Sequence, residues 1–339
     1  LPIVDKQTSQ LTHNDMTVSF RDEKALINEG GLADALKQAG TVDSWGVFYV
    51  KSTTLYNEAG DSAEISVVGA QKDADMTSCF TFRTRKDHEE IPFDDSSVIL
   101  TEKTALNLGV KGGDTLYVEG ADGRRVPVTL TGITENYMFT RLYLSNAQLK
   151  SYLDGEPAWN TVYGLTHCKN DAEYNALRAR LLECSYVSGV SFTEDTNSMF
   201  DNLIVSLNSV VVLIIVCAAA LAAVVLYNLI SVNLAERKKE LATIKVLGFY
   251  DKEVYRYIFR EIELLSLIGS GVGLLLGVPL HRFIILTVEM DQLMFIRTIA
   301  PRSYLLAVAL TMLFTFVVCF AMRRHVRHIS MVESMKAPE

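Results

Sequence analysis

Beyond residue 200 the chain carries long stretches without charge. No side chain between Asp201 and Glu236 is charged. That run exceeds the roughly 20 apolar residues that cross a bilayer. A second uncharged stretch covers 264–281, and a third covers 303–322 before Arg323 and Arg324 close it. The pattern predicts membrane helices at about 203–232, 262–284 and 303–322, with the more polar Ser206, Asn208 and Ser209 beginning the first as a stalk. Three runs at spanning length argue against buried helices of a large soluble protein.

Ahead of residue 200 the pattern is shorter in period. Segments 45–56 and 63–70 are rich in Val, Tyr, Phe and Thr and predict strands. Segments 115–119 and 125–134 flank Gly120-Ala121-Asp122-Gly123, whose Asp-Gly step signals a hairpin. A short strand is expected at 141–144, then a helix from Ser145, which has capping-box spacing to Gln148. Asn170 and Glu173 repeat that spacing before a helix that puts Tyr174, Leu177 and Leu181 on one face. Short helices are expected at 24–37 and 102–107. The fold class is therefore an α+β extracytoplasmic domain, 1–195, followed by an all-α membrane domain, 196–322, of three transmembrane helices. Residues 323–339 form a basic tail.

The 32 basic and 40 acidic residues give a net charge of −8, and residues 1–200 hold the acidic excess. No basic, aromatic-interleaved patch is present, which excludes nucleic acid as a partner. Cationic residues in short loops set orientation. The connection between the first two spans carries Arg237, Lys238, Lys239, Lys245, Lys252, Arg256 and Arg260, and the tail carries Arg323, Arg324, Arg327 and Lys336. The connection between spans two and three has Arg282, Arg297 and Arg302. Loop 233–261 and the C-terminus are thus expected in the cytoplasm and residues 1–200 outside it. Tyr250, Tyr255 and Tyr257 suit the headgroup level. The chain starts at Leu1 and carries no signal peptide, so export of the external domain leads us to expect at least one further span before it.

Chemistry is sparse. His13, His88 and His167 are isolated, and no H-E-x-x-H, C-x-x-C, G-x-S-x-G or Walker pattern occurs. Neither a catalytic residue nor a metal or cofactor site is expected. Segment 109–114 reads as a turn into a strand, not a phosphate loop. Asp73, Asp75, Asp94 and Asp95 read as a solvated acidic face, with a cation site the lesser alternative. Cys217 and Cys319 fall in spans and read as packing residues. Cys168 and Cys184 bracket one helix, and spacing leaves a disulfide between them open.

The segment 234–248 is sharper. Leu234, Leu241, Ile244 and Leu247 can share a helical stripe, with Gly248 as the C-cap and Asp251 as the cap of the next helix. On composition alone, a basic helix lying on anionic lipid would account for it equally well. In span two, Gly269, Gly273 and Gly277 recur every fourth residue, a spacing that admits another helix closely, within the subunit or across a dimer. Pro279 is placed to kink that span's outer end.

The order Glu236, Arg237, Glu240, Leu241, Ile244, Lys245, Leu247, Gly248 resembles the pattern of the FtsX/MacB-like ABC-transporter permeases. So do segment 98–114, which is similar to their external core domain, and the following segments 128–134 and 141–145. Segment 329–336 resembles the tail of long, Gram-positive members. The resemblance implies a permease of the bacterial plasma membrane whose segment 234–248 is a coupling helix docked on an ATP-binding cassette subunit. ATP and Mg would then be bound, and ATP hydrolysed, in that separate subunit. It also implies a second permease unit, as a homodimer or a pseudo-dimer. Mechanotransmission would move the external domain to export or extract a lipid, lipoprotein, peptide or drug. The absence of an embedded charge in the spans favours this over a polar pore. An alternative is a scaffold driven by ATP that activates an external cell-wall hydrolase or sensor kinase and transports nothing. A membrane-tethered enzyme is disfavoured by the missing catalytic constellation.

Overall fold

The computed structural model describes residues 6–27, 31–120, 122–237, 240, 243–244, 247–288 and 299–327. Among the described residues, one compact unit ends at Asp201 and the other begins at Asn202.

The first unit is built on one mixed sheet. Its strands are β1 (Met16–Phe20), β2 (Val42–Tyr56), β3 (Ser62–Ala70), β4 (Val98–Thr101), β5 (Thr115–Glu119), β6 (Arg125–Thr129), β7 (Gly132–Thr134), β8 (Arg141–Leu144), β9 (Thr161–Thr166) and β10 (Val187–Phe192). They run in the order β10-β1-β9-β2-β3-β8-β4-β7, and β5 pairs with both β2 and β6. The β3–β8 and β4–β7 pairings are parallel, the rest antiparallel.

Side chains alternate between the faces of a strand, and the cores follow that alternation. Val47, Tyr49, Val67, Leu142 and Leu144 join one cluster, and Phe48, Val68 and Tyr143 join a second with Phe80, Phe82 and Tyr163. The second is an aromatic cluster with tilted and edge-to-face contacts: Phe80 meets Tyr143 at 5.1 Å and Tyr163 at 5.6 Å between ring centroids. Helices α1 (Lys24–Ile27), α2 (Leu32–Gln38), α3 (Asp73–Cys79), α4 (Glu102–Leu108), α5 (Asn146–Leu153) and α6 (Asp171–Leu182) accompany the sheet.

Several local expectations are met in atomic detail. The hairpin pairs Glu119 with Arg125 and Thr115 with Thr129. Gly109 takes φ +66 after α4, and Val110 N donates to Ala105 O at 3.0 Å, closing that helix with a left-handed residue. Ser145 Oγ accepts from Gln148 N at 3.2 Å, and Asn170 Oδ1 accepts from Glu173 N at 3.0 Å. Leu177 and Leu181 of α6 are buried, and Tyr174 packs on Phe192 at 4.9 Å.

Two expectations are corrected. The strand expected over 125–134 is broken in two, because Leu130 N turns to Asp114 O while Thr131 N donates to Val98 O. The second piece, β7, then pairs with β4 instead of β5. The single helix expected over 24–37 is two, α1 and α2, with residues 28–30 between them outside the described set.

Among the described residues, the second unit holds three helices long and apolar enough to cross a membrane, over Asn208–Asn233, Phe259–Ile285 and Pro301–Met322. They lie within α7 (Thr193–Glu236), α8 (Asp251–Val288) and α9 (Pro301–Arg327). Two threonine hydroxyls of α9 return to their own helix, Thr311 Oγ1 to Ala307 O at 2.9 Å and Thr315 Oγ1 to Thr311 O at 3.0 Å. Such back-bonding satisfies a polar group where water is absent. Helix α8 continues through Pro279.

Candidate functional site

The connection between α7 and α8 holds the residues singled out by sequence. Arg237 follows the last turn of α7, its N–H donating to Asn233 O at 3.1 Å. Its guanidinium reaches Glu261 of α8, Nη1 to Oε2 at 2.8 Å and Nη2 to Oε1 at 3.3 Å. Glu240 is helical and exposed, and Glu236 is exposed at the end of α7. Thr243 and Ile244 belong to a further helical turn that ends at Gly248. There φ is +94, and Phe249 N donates to Ile244 O at 3.4 Å. A residue with a Cβ would be strained at that φ, so the glycine is what lets the helix stop and the chain reverse. Leu241 and Lys245 lie outside the described residues.

The next cap differs from expectation. Tyr250 is the N-cap of α8, and Asp251 is the first residue inside it. Glu253 N donates to Tyr250 O at 2.9 Å, while the Glu253 carboxylate accepts from Tyr250 N at 3.0 Å. Glu253 therefore closes the capping arrangement from its third position, leaving no N-cap role for Asp251.

The stripe expected of 234–248 is divided by this geometry. Ile244 packs inward against a cluster of Ile230, Val254, Ile262, Val318, Cys319 and Met322, drawn from all three long helices. Leu247, Phe249 and Tyr250 point the other way, 72%, 53% and 78% exposed. Three large apolar or aromatic side chains within four residues of one capped turn are an uncommon cost at a surface unless something covers them. Glu261 was not identified by sequence; the available signal is opposite charge at the ends of adjacent spans.

The glycine stripe has a different setting. Gly269, Gly273 and Gly277 line a cavity of about 650 Å³ between the three long helices, with Ala218, Ala222 and Ala307. A methyl placed on any of these glycines would meet nothing within 4 Å among the described residues. The close approach expected of them is not made by a described residue of this chain. Cys319 is buried in the cluster above, whereas Cys217 is exposed on α7, so packing accounts for the first and not the second.

The remaining candidates are structural. His13 Nε2 lies 2.7 Å from Thr81 Oγ1, and His167 Nδ1 lies 2.9 Å from Asp43 Oδ1. His88 occupies a turn at φ +55. Among the described residues no group of three His, Cys, Asp or Glu side chains could hold a metal. Asp94 Oδ1 accepts from Ser96 N and Ser96 Oγ, and the Ser96 hydroxyl and then its N–H hold the carboxyl below its usual range. Asp73 Oδ1 accepts from Asn146 N at 2.9 Å. Segment 109–114 is the expected turn, with Asp114 Oδ2 accepting from Lys111 N at 2.7 Å. Cys168 and Cys184 are free thiols.

Comparison with known proteins places the membrane part. A curated relative, an uncharacterized ABC transporter permease protein of Mycobacterium tuberculosis, is 24% identical over 189 residues, 54% of this chain. The match spans 22% of that relative's length. Among solved structures, the periplasmic region of MacB from Actinobacillus actinomycetemcomitans aligns over 59% of this chain and 98% of its own, at 13% identity and TM-score 0.34. The extracellular domain of the noncanonic ABC-type transporter YknZ from Gram-positive bacteria aligns over 53% and 98%, at 16% identity and TM-score 0.33. Residues 212–331 match the family described as FtsX-like permease C-terminal.

Proposed function

We propose that this chain is the membrane subunit of an ABC transporter and that the turn at 247–250 is where its ATPase docks. The family match of residues 212–331 carries this reading. It is supported by the exposed Leu247, Phe249 and Tyr250 next to the left-handed Gly248 cap. ATP and Mg are held by the partner subunit, and this chain hydrolyses nothing. The basic residues of 233–261 put the docking turn on the cytoplasmic side, and residues 1–200 are extracytoplasmic. A second permease unit completes the pair on which two ATPases close. Closure displaces the turn, the Arg237–Glu261 link passes the displacement to α8, and α7 carries it back towards Thr193. Cargo is exported or extracted by the resulting motion of the external domain.

The test is purification of the chain in mild detergent, with identification of whatever co-purifies. A stoichiometric ATP-binding cassette subunit that is lost in Leu247→Asp supports the reading. A folded chain that retains no such subunit overturns it.

A further inference from the structure

The first unit contains a cavity of about 240 Å³. It lies between the π-helical turn Gln7–Leu11, strands β1 and β10, and the loop leading into β8. Water occupies about 30 Å³ per molecule, so the space suits a group of amino-acid size and is smaller than the pockets that take drug-sized ligands.

Its lining is polar in an unbalanced way. Arg141 is the single formally charged side chain among the described residues that line it, and no carboxylate does. The guanidinium lies 5.4 Å from the Phe80 ring centroid and 5.2 Å from that of Phe139. It takes part in none of the ion pairs among the described residues. Aromatic faces hold a cation in place without neutralising it. Hydroxyls of Thr17 and Ser191 contribute further polar wall.

Two further observations point the same way. Asn14, nine-tenths buried, also lines the cavity, and its Oδ1 has no hydrogen-bond partner. Buried acceptors without donors are rare in folded proteins and mark places where something else completes the set. Phe139, at the rim, has φ +67, a strained backbone for an aromatic residue. Asn136 imposes it, its Nδ2 donating to Met138 O at 2.7 Å and to Phe139 O at 2.6 Å. Strain maintained by dedicated hydrogen bonds gathers at ligand sites.

We propose that this cavity binds a small carboxylate ligand with an adjacent N–H, such as the C-terminal residue of a peptide, with Arg141 receiving the carboxylate. One guanidinium matches one carboxylate in charge and in its forked geometry. A phosphate would bring more charge than one cation balances. The site does not depend on ATPase docking, so its test is separate from that of the permease reading.

The experiment is calorimetric titration of the full chain in detergent with N-acetylalanine, its amide, and inorganic phosphate. N-Acetylalanine should bind saturably, the amide at least tenfold more weakly and phosphate at least tenfold more weakly. Arg141→Gln should lose at least tenfold, and Arg141→Lys should recover part of that. Asn14→Leu should weaken the probe several-fold while leaving thermal stability equal or higher, a combination that a purely structural Asn would not give. No saturable binding, equal binding of acid and amide, or phosphate binding as tight as the carboxylate would each overturn the proposal. The comparison of acid with amide on the unaltered chain decides the matter even where an Arg141 variant fails to fold.

Discussion

Arg237 and Glu261 form a bidentate ion pair, 2.8 and 3.3 Å, between the residue that follows the first membrane helix and the body of the second. Both side chains are well exposed, 39% and 46%. An exposed pair contributes at most about 1 kcal/mol, so its importance is in fixing the fork geometry, not in stability. Arg237→Glu should therefore shift the thermal midpoint by about 2–4 °C or less. The same variant should lower the retention of a bound ATPase several-fold. The exchanged pair Arg237→Glu/Glu261→Arg should restore most of it. A double variant no better than the single one would assign the two residues separate roles.

Ile244 and Leu247 are one helical turn apart and should respond oppositely to the same substitution. Ile244 is packed on the buried Ile230–Met322 cluster, and losing such a contact costs roughly 2–5 kcal/mol in a full core. Ile244→Asp should therefore lower the stability of the bundle in detergent and reduce its yield. Leu247→Asp, at an exposed site, should leave the melting profile unchanged and abolish ATPase co-purification. Size-exclusion profiles and melting curves of the two variants separate the cases. Equal destabilisation by both would remove Leu247 from the docking surface.

The three membrane helices, the caps at Ser145, Asn170 and Gly248, and the Gly120–Gly123 hairpin are legible because each depends on residues close in sequence. Strands β1, β9 and β10 are not. Their pairing joins Met16 to Gly164 and Phe192 across most of the domain, which no local pattern encodes. The candidate site divides in the same way. Its polar residues and its glycine could be read directly, whereas the inward turn of Ile244 and the pairing of Arg237 with Glu261 are tertiary facts. The Asp251 expectation failed because the helix already includes Asp251, with Tyr250 at the N-cap and the Glu253 carboxylate accepting from the Tyr250 N–H.

Glu135 is enclosed, with its side chain 0% exposed, and it accepts from Arg83 Nε at 2.7 Å and from Tyr137 Oη at 2.6 Å. Removing one partner of a buried pair leaves an uncompensated charge and costs about 3–5 kcal/mol, whereas an apolar replacement of both is often near neutral. Arg83→Ala should destabilise the external unit by that amount, and Arg83→Met/Glu135→Leu should recover most of it. Urea midpoints of the full chain read this out. A double variant as unstable as Arg83→Ala would mean that packing around the pair, not charge, sets the cost.

Asp15 ties the start of β1 to β9, accepting from Thr166 N and Thr166 Oγ1, both at 2.7 Å. Burial pushes its carboxyl above the usual range, and the hydrogen bonds from Thr166 offset that in part. A raised folded pKa means that the folded chain holds the proton more tightly than the unfolded one. The slope of stability with pH is then negative between the ordinary carboxylate value and the raised one. Asp15 thus contributes most at low pH, and its contribution declines as pH rises through that window. The decline is at most about 1.4 kcal/mol per pH unit for a single group. Other carboxylates titrate in the same range, so the quantity to measure is the stability of the parent chain minus that of Asp15→Asn. Urea midpoints collected from about pH 4 to 7 should show this difference falling as pH rises, then levelling off once Asp15 is ionised in both states. A difference that rises with pH would mean that the Thr166 hydrogen bonds outweigh burial and that the Asp15 pKa is lowered.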